Sequence, residues 1–221
     1  ARRQRHLAMP LLLGAFGTLA LIAQNETARY QNFRYVTPSL IMLLFAAILG
    51  MDESLRTRGP RRRMLTAAIC SVALLIPLQQ ELRLQTRHFA TASRNISQQQ
   101  AEVARRLAAM SPPPRRVLVG DAGAIPFLSN LPAIDGLGLG GFKGLPFARA
   151  SRHGPAAVVE LIERLPPSER PDLMALYPNW WQGLADVFGH PIDRVRIDDN
   201  VICASDEKVI YRADWATLAP T

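Results

Sequence analysis

The pattern of apolar and polar positions divides the chain near residue 80. Before that point come three runs without a charge, at residues 7–23, 36–51 and 64–78. A helix that crosses a bilayer needs about 20 apolar residues, with a lower limit near 17. The first run meets that length alone, and the other two reach it with their flanking aromatic or polar residues. The expectation is a transmembrane region over 1–79 with three spanning helices. A basic stretch before one apolar run also describes a signal peptide. Here no small-residue cleavage site follows, and two further apolar runs do. The second and third runs are also short enough for buried core helices.

After residue 80 the pattern becomes that of a soluble domain. Apolar positions at Leu82, Leu84, Phe89, Ile96, Val103, Leu107 and Met110 predict an amphipathic helix, or two, over 80–110. Ser111 and three prolines end it. Residues 115–120 read as a short strand, AGAIPFLSN as a turn with a brief helix, and 132–139 as a second strand ending in glycines. A helix is expected over 155–165, with Pro155 at its start and Pro166-Pro167 at its end. Residues 172–177 form a third buried strand, and 187–188 and 194–197 are marginal pieces. Residues 201–205 and 208–212 make a hairpin around Asp206-Glu207. Alternating strands and helices predict a small α/β soluble domain over 80–221.

Charge adds an orientation. The net charge is +8, and only Lys143 and Lys208 are lysines among the 26 basic residues. With the many Ala and Pro, this Arg usage suggests a GC-rich bacterial genome. The densest basic runs, RRQR at 2–5 and RTRGPRRR at 56–63, each flank an apolar run. That placement fits membrane orientation better than a nucleic-acid groove, so no nucleic-acid partner is expected. Basic loops face the cytoplasm. The 24–35 loop then lies outside, and the third span exports everything after residue 80. The expected location is the bacterial inner (plasma) membrane, multi-pass, with residues 80–221 on the periplasmic or extracellular side. The chain starts at Ala1 directly in a basic run, and is expected to be the carboxyl-terminal piece of a longer protein.

Cys70 lies in an apolar run and Cys203 in the soluble part, so no disulfide is expected between them. Two thiols and four scattered His make no metal-ligand cluster, and no metal site or cofactor is expected in this segment. His153 and His190 sit beside turn residues as surface positions. Sequons at 25–27 and 95–97 read as coincidence in a bacterial chain.

The outer loop QNETARYQNFRYVTP carries Arg29 and Arg34 where positive charge is not favoured, beside Tyr30, Phe33 and Tyr35. One reading is aromatic interface anchors with snorkelling arginines. The other is an anionic head-group site, because the planar Arg fork matches phosphate oxygens. R-Y-x-x-P (Arg34, Tyr35, Pro38) at the outer start of a span resembles a feature of polytopic GT-C glycosyltransferases.

The stretch GDAGAIPFLSNLPAIDGLGL strengthens that resemblance. It is similar to a segment after the last spans of bacterial GT-C transferases, approximately G-D-x-G-A-I-P-[YF]-x-S-x-x-P-x-I-D-x-x-G-L. Gly120, Asp121, Gly123, Ala124, Ile125, Pro126, Phe127, Ser129, Pro132, Ile134, Asp135, Gly138 and Leu139 match it in register. The similarity is to the outer domain of mannosyl- and arabinofuranosyltransferase-like members, and fades after about residue 180. It implies an integral-membrane enzyme that transfers a sugar from a polyprenyl-phosphate donor to a cell-envelope glycan, lipid or protein acceptor. It also implies that Arg34, Tyr35 and Arg29 bind the donor phosphate or lipid.

In such enzymes an aspartate in the first outer loop of the full protein acts as general base on the acceptor hydroxyl. That loop is not in this sequence. No catalytic residue is expected in this segment, and the segment alone is expected to be inactive. The resemblance leaves room for a divalent cation in the full-length enzyme. Asp121 and Asp135 each sit at a strand end beside glycine, as turn-forming carboxylates or as acceptor contacts. Trp180 and Trp181 can stack on a sugar ring, pack on the membrane surface or enter the core.

Two rival functions come from other classes. One is a membrane-anchored outer domain that only binds glycan or a partner protein. The other is a dinucleotide enzyme, suggested by the literal G-x-G-x-x-G at Gly136, Gly138 and Gly141. A phosphate-binding loop opens directly into a helix. Here the glycines run into FKGLPFARA, broken by Gly144 and Pro146, so the fingerprint is coincidental.

Overall fold

In a computed structural model, residues 2–24, 33–56 and 59–218 are described, and they form two compact units, 1–83 and 84–221. The first unit begins with helix α1 (Arg2–Ala23), followed by α2 (Thr37–Arg56). These two helices pack on each other, and Gly14 leaves room for Met42: a Cβ there would stand 3.1 Å from its sulfur. Helix α3 (Pro60–Asn95) leads into a π-helical stretch, Ile96–Ala101, and then α4 (Glu102–Ala108).

Among the described residues, two helices are long and apolar enough to cross a membrane: His6–Ala23, and a segment of the continuous helical stretch Pro60–Ala108. The expectation was three. The second apolar run does form a helix, but α2 carries Asp52, Glu53 and Arg56 in its last turns, and it is not among the two.

The second unit is a doubly wound α/β domain. Its elements are β1 (Val117–Val119), α5 (Ala124–Ser129), β2 (Ala133–Asp135), α6 (Phe147–Ser151), α7 (Pro155–Glu163), β3 (Leu173–Leu176), α8 (Pro178–Trp181), α9 (Leu184–Val187), β4 (Gly189–Arg196) and β5 (Glu207–Ala213). The sheet order is β2-β1-β3-β5-β4, with β2, β1 and β3 mutually parallel, β5 antiparallel to β3, and β4 antiparallel to β5.

Alternation along the strands builds a core on each face. Val117, Val119, Leu173, Ala175 and Ile210 pack with Val103 and Leu107 of α4 and Ile125 of α5. Leu118, Met174, Leu176, Val209 and Tyr211 pack on the other face with Phe147 of α6 and Val158, Leu161 and Ile162 of α7. Strands covered on both faces read as unbroken apolar runs, which is why VLV and LMAL were legible as strands.

The hairpin is displaced from its expected place. Residues 201–206 are not a strand, and β5 pairs instead with β4, which begins at Gly189. Asn200 holds the 201–203 bend by accepting from the backbone N–H groups of Ile202 and Cys203. β4 is an edge strand, mostly exposed, with Pro191 beside a register shift. Edges tolerate Pro and bulges, so its residues do not advertise a strand.

Candidate functional site

The carboxyl ends of β1, β2 and β3 open onto a cleft of about 360 Å³. Gly120 enters it from β1, Gly136 and Leu137 from β2, and Asn179, Trp180 and Gln182 from the turn after β3. Ser151, Gly154 and Pro155, between α6 and α7, close the other side. Ligands of open α/β sheets bind at the carboxyl edge where the strand order reverses. The chain passes from β1 to β2 on one side and then returns past β1 to β3, so this cleft lies at that reversal. No charged side chain is among its described lining residues.

Trp180 is the aromatic wall. It meets Tyr177 edge-on, with ring centroids 5.1 Å apart at 61°. Its other close neighbour is Gly120, where an added Cβ would stand 3.3 Å from the indole ring. A side chain there would press the indole away from the strand end. Trp181 also borders the cleft, but most of its ring is buried in the core.

Behind Trp180 lies a buried polar network. Lys208 on β5 is wholly buried (0% exposed). Its ammonium donates to Asp121 Oδ1 at 2.7 Å and Gln100 Oε1 at 2.9 Å, and stands 4.1 Å from the centre of the Tyr177 ring. Gln100 Nε2 donates to Asp121 Oδ2 at 3.0 Å and to the Tyr177 hydroxyl at 2.5 Å. That hydroxyl donates to Gln99 Oε1 at 3.1 Å, and Gln99 Nε2 in turn donates to the carbonyls of Ser205 and Asp206. Both glutamines come from the π-helical stretch, a local widening of the helix that is frequent at functional sites. Burial holds the Lys208 ammonium below its ordinary value, against the opposing pull of Asp121. Burial, and then the Asp121 carboxylate, pushes the Tyr177 phenol well above its usual range.

The two aspartates have different surroundings. Asp135 is buried and accepts backbone N–H bonds from Leu137 and Gly140, each at 2.9 Å, which shapes the loop after β2. In the same loop Gly138 has φ of +76°, and a Cβ there would meet the Ala148 backbone nitrogen at 2.0 Å. Asp121 makes no such turn. It reaches Lys208, 87 residues away in the chain.

Arg34 and Tyr35 are exposed neighbours: the guanidinium donates to the Tyr35 hydroxyl at 2.8 Å and lies 4.8 Å from its ring centre. Arg29 and Tyr30 lie outside the described residues, as does the sequon at 25–27. His153 and His190 are exposed, the latter 3.8 Å from Asp214. Among the described residues no group of three or more His, Cys, Asp or Glu could hold a metal ion.

Sequence reasoning passed over Lys208, Tyr177, Gln99 and Gln100. One signal was available for Lys208: in KVIYR it alternates onto the same face as Ile210. A charge on the apolar face of a strand requires a buried partner.

The sequence model of a family described as a domain of unknown function, DUF8728, matches residues 94–219, more than half of the chain. No curated protein and no solved structure matches.

Proposed function

The chain belongs to the DUF8728 family, and from that premise we propose that it is the carboxyl-terminal portion of an integral-membrane glycosyltransferase. The enzyme transfers a sugar from a polyprenyl-phosphate donor to a cell-envelope acceptor on the outer face of the bacterial plasma membrane. In this reading α2 joins the two apolar helices as a third span, and the α/β domain lies on the outer side. One observation carries the proposal. The 120–139 stretch that resembles GT-C transferases supplies the ends of β1 and β2, with Gly120, Gly136 and Leu137 at the mouth of the cleft. Of the matched residues Gly120 lines this place for an acceptor, and Asp135 shapes the loop that carries Gly136 and Leu137 to it.

In the reaction a general base removes the acceptor hydroxyl proton, the oxygen attacks the anomeric carbon, and the polyprenyl phosphate departs with the bonding electrons. Cations stabilise the charge on that phosphate. Arg34 is exposed and can serve there; the base belongs to a part of the parent protein outside this sequence.

The test is transfer of labelled sugar from a polyprenyl-phosphate donor by the full-length protein. Arg34→Ala should lower turnover by roughly ten- to a hundredfold, as expected for one lost charged hydrogen bond. Unchanged donor affinity and rate would remove Arg34 from the site, and no transfer by the intact protein would end the proposal.

The Trp180 wall and neutral lining of the cleft serve a second reading equally well. There the domain is a membrane-anchored, non-catalytic module that binds glycan or a partner protein.

A further inference from the structure

We infer that the cleft at the ends of β1 and β3 takes an uncharged sugar unit of the acceptor, stacked on Trp180, and excludes the phosphate end of the donor. The inference rests on the glycan reading above and assigns this cleft one side of that reaction. It follows from what surrounds the cavity. The described lining holds two indoles, two side-chain amides and a hydroxyl, and no charged group. A neutral sugar offers an apolar ring face for an aromatic wall and hydroxyls for amide donors and acceptors. Among the described residues, the side-chain amides of Asn179 and Gln182 have no hydrogen-bond partner, so both remain available. Ser151 is already committed to backbone carbonyls of Leu137 and Ala148.

An anion finds little there. No charged side chain is among the described lining residues, and Lys208, behind Trp180, is wholly buried and spent on Asp121. The volume lies near the small end of ligand clefts, which span about 300–1,000 Å³, and suits one or two sugar rings rather than a lipid.

Trp180 is held for this purpose from behind. Lys208 sits on the Tyr177 ring, the Tyr177 hydroxyl is fixed by Gln99 and Gln100, and the Tyr177 ring abuts Trp180. The buried network is therefore a positioning device for the aromatic wall.

The experiment is a calorimetric titration of the full chain in nanodiscs with mannopentaose, maltopentaose and arabinopentaose. Mannose 1-phosphate and inorganic phosphate are titrated in parallel. At least one neutral oligosaccharide should bind, and the two phosphates should not. Trp180→Ala should weaken binding by about tenfold, the scale of one aromatic contact, while Trp180→Phe restores most of it. Asn179 is exposed, so Asn179→Ala should weaken binding several-fold with an unchanged melting temperature. The inference is overturned if no neutral oligosaccharide binds the folded chain, if a phosphate binds better, or if neither Trp180→Ala nor Asn179→Ala changes affinity. Failure of the enzyme reading looks different: the cleft binds neutral glycan, yet the full-length protein transfers no sugar.

Discussion

The ends of β1 and β2 look alike in sequence and behave differently in the fold. Each is a short apolar strand followed by an aspartate next to a glycine. At the end of β2, Asp135 turns back on its own loop and bonds to N–H groups two and five residues away. At the end of β1, Asp121 faces the opposite layer and pairs with Lys208 and Gln100, which arrive from β5 and the π-helical stretch. The first contact is local and forms with the loop. The second exists only once three distant elements have docked.

Lys208→Met should give the largest effect. It leaves Asp121 Oδ1 and Gln100 Oε1 without their donor, and breaking a buried ion pair costs about 3–5 kcal/mol. Asp121 is 37% exposed and water can reach it, so the expected loss is about 2–3 kcal/mol. The melting temperature should fall on the order of 10 °C. Amide exchange should rise together in residues 96–101, 120–122 and 177–181; a rise confined to β5 would show that the network does not bind these elements into one unit.

Asp135→Ala should cost less, about 1–2 kcal/mol, because two backbone donors lose their acceptor in a loop that water can enter. Its signature is locality. Exchange should quicken over 136–141 while the Tyr177 and Trp180 region keeps its protection. Loss of protection in both places would erase the contrast between the two strand ends.

The smallest effect is in alkaline solution. The folded state keeps the Tyr177 proton above pH 10.0, where the unfolded chain releases it. Stability therefore falls as pH rises past that value, by about 1.4 kcal/mol per pH unit for one proton. Lys208 acts oppositely and lower down: its folded value lies below 10.5, so it adds stability with rising pH only up to 10.5. Tyr177→Phe should flatten the alkaline limb of a chemical-denaturation series by about one proton's worth. Tyr211, also pushed up by burial, leaves a residual slope. An identical limb in wild type and variant would mean that Tyr177 ionises freely.

Much of the α/β architecture was legible because its parallel strands are short, apolar and punctuated. VLV between Arg116 and Gly120, AID before Gly136, and LMAL before Tyr177-Pro178 all announce themselves. β4 did not, since only Gly189 and Val195 of its eight residues are buried and no apolar alternation runs along it. At the site, Trp180 and the two aspartates were singled out from residue type, but nothing local separated the roles of Asp121 and Asp135. Gln99 and Gln100 read as the polar face of an amphipathic helix, and only the docked sheet shows them buried.

The sequence by itself determined the apolar helices, the strand cores and the turn chemistry, because each depends on neighbours within a few residues. Tertiary structure decided which face of the sheet each strand end serves and that Lys208 is buried beside Asp121. It also decided that Gly120, Gly136 and Trp180 share one cleft. Those depend on contacts between residues up to 108 positions apart, such as Lys208 with Gln100, and no local pattern encodes a pairing at that range.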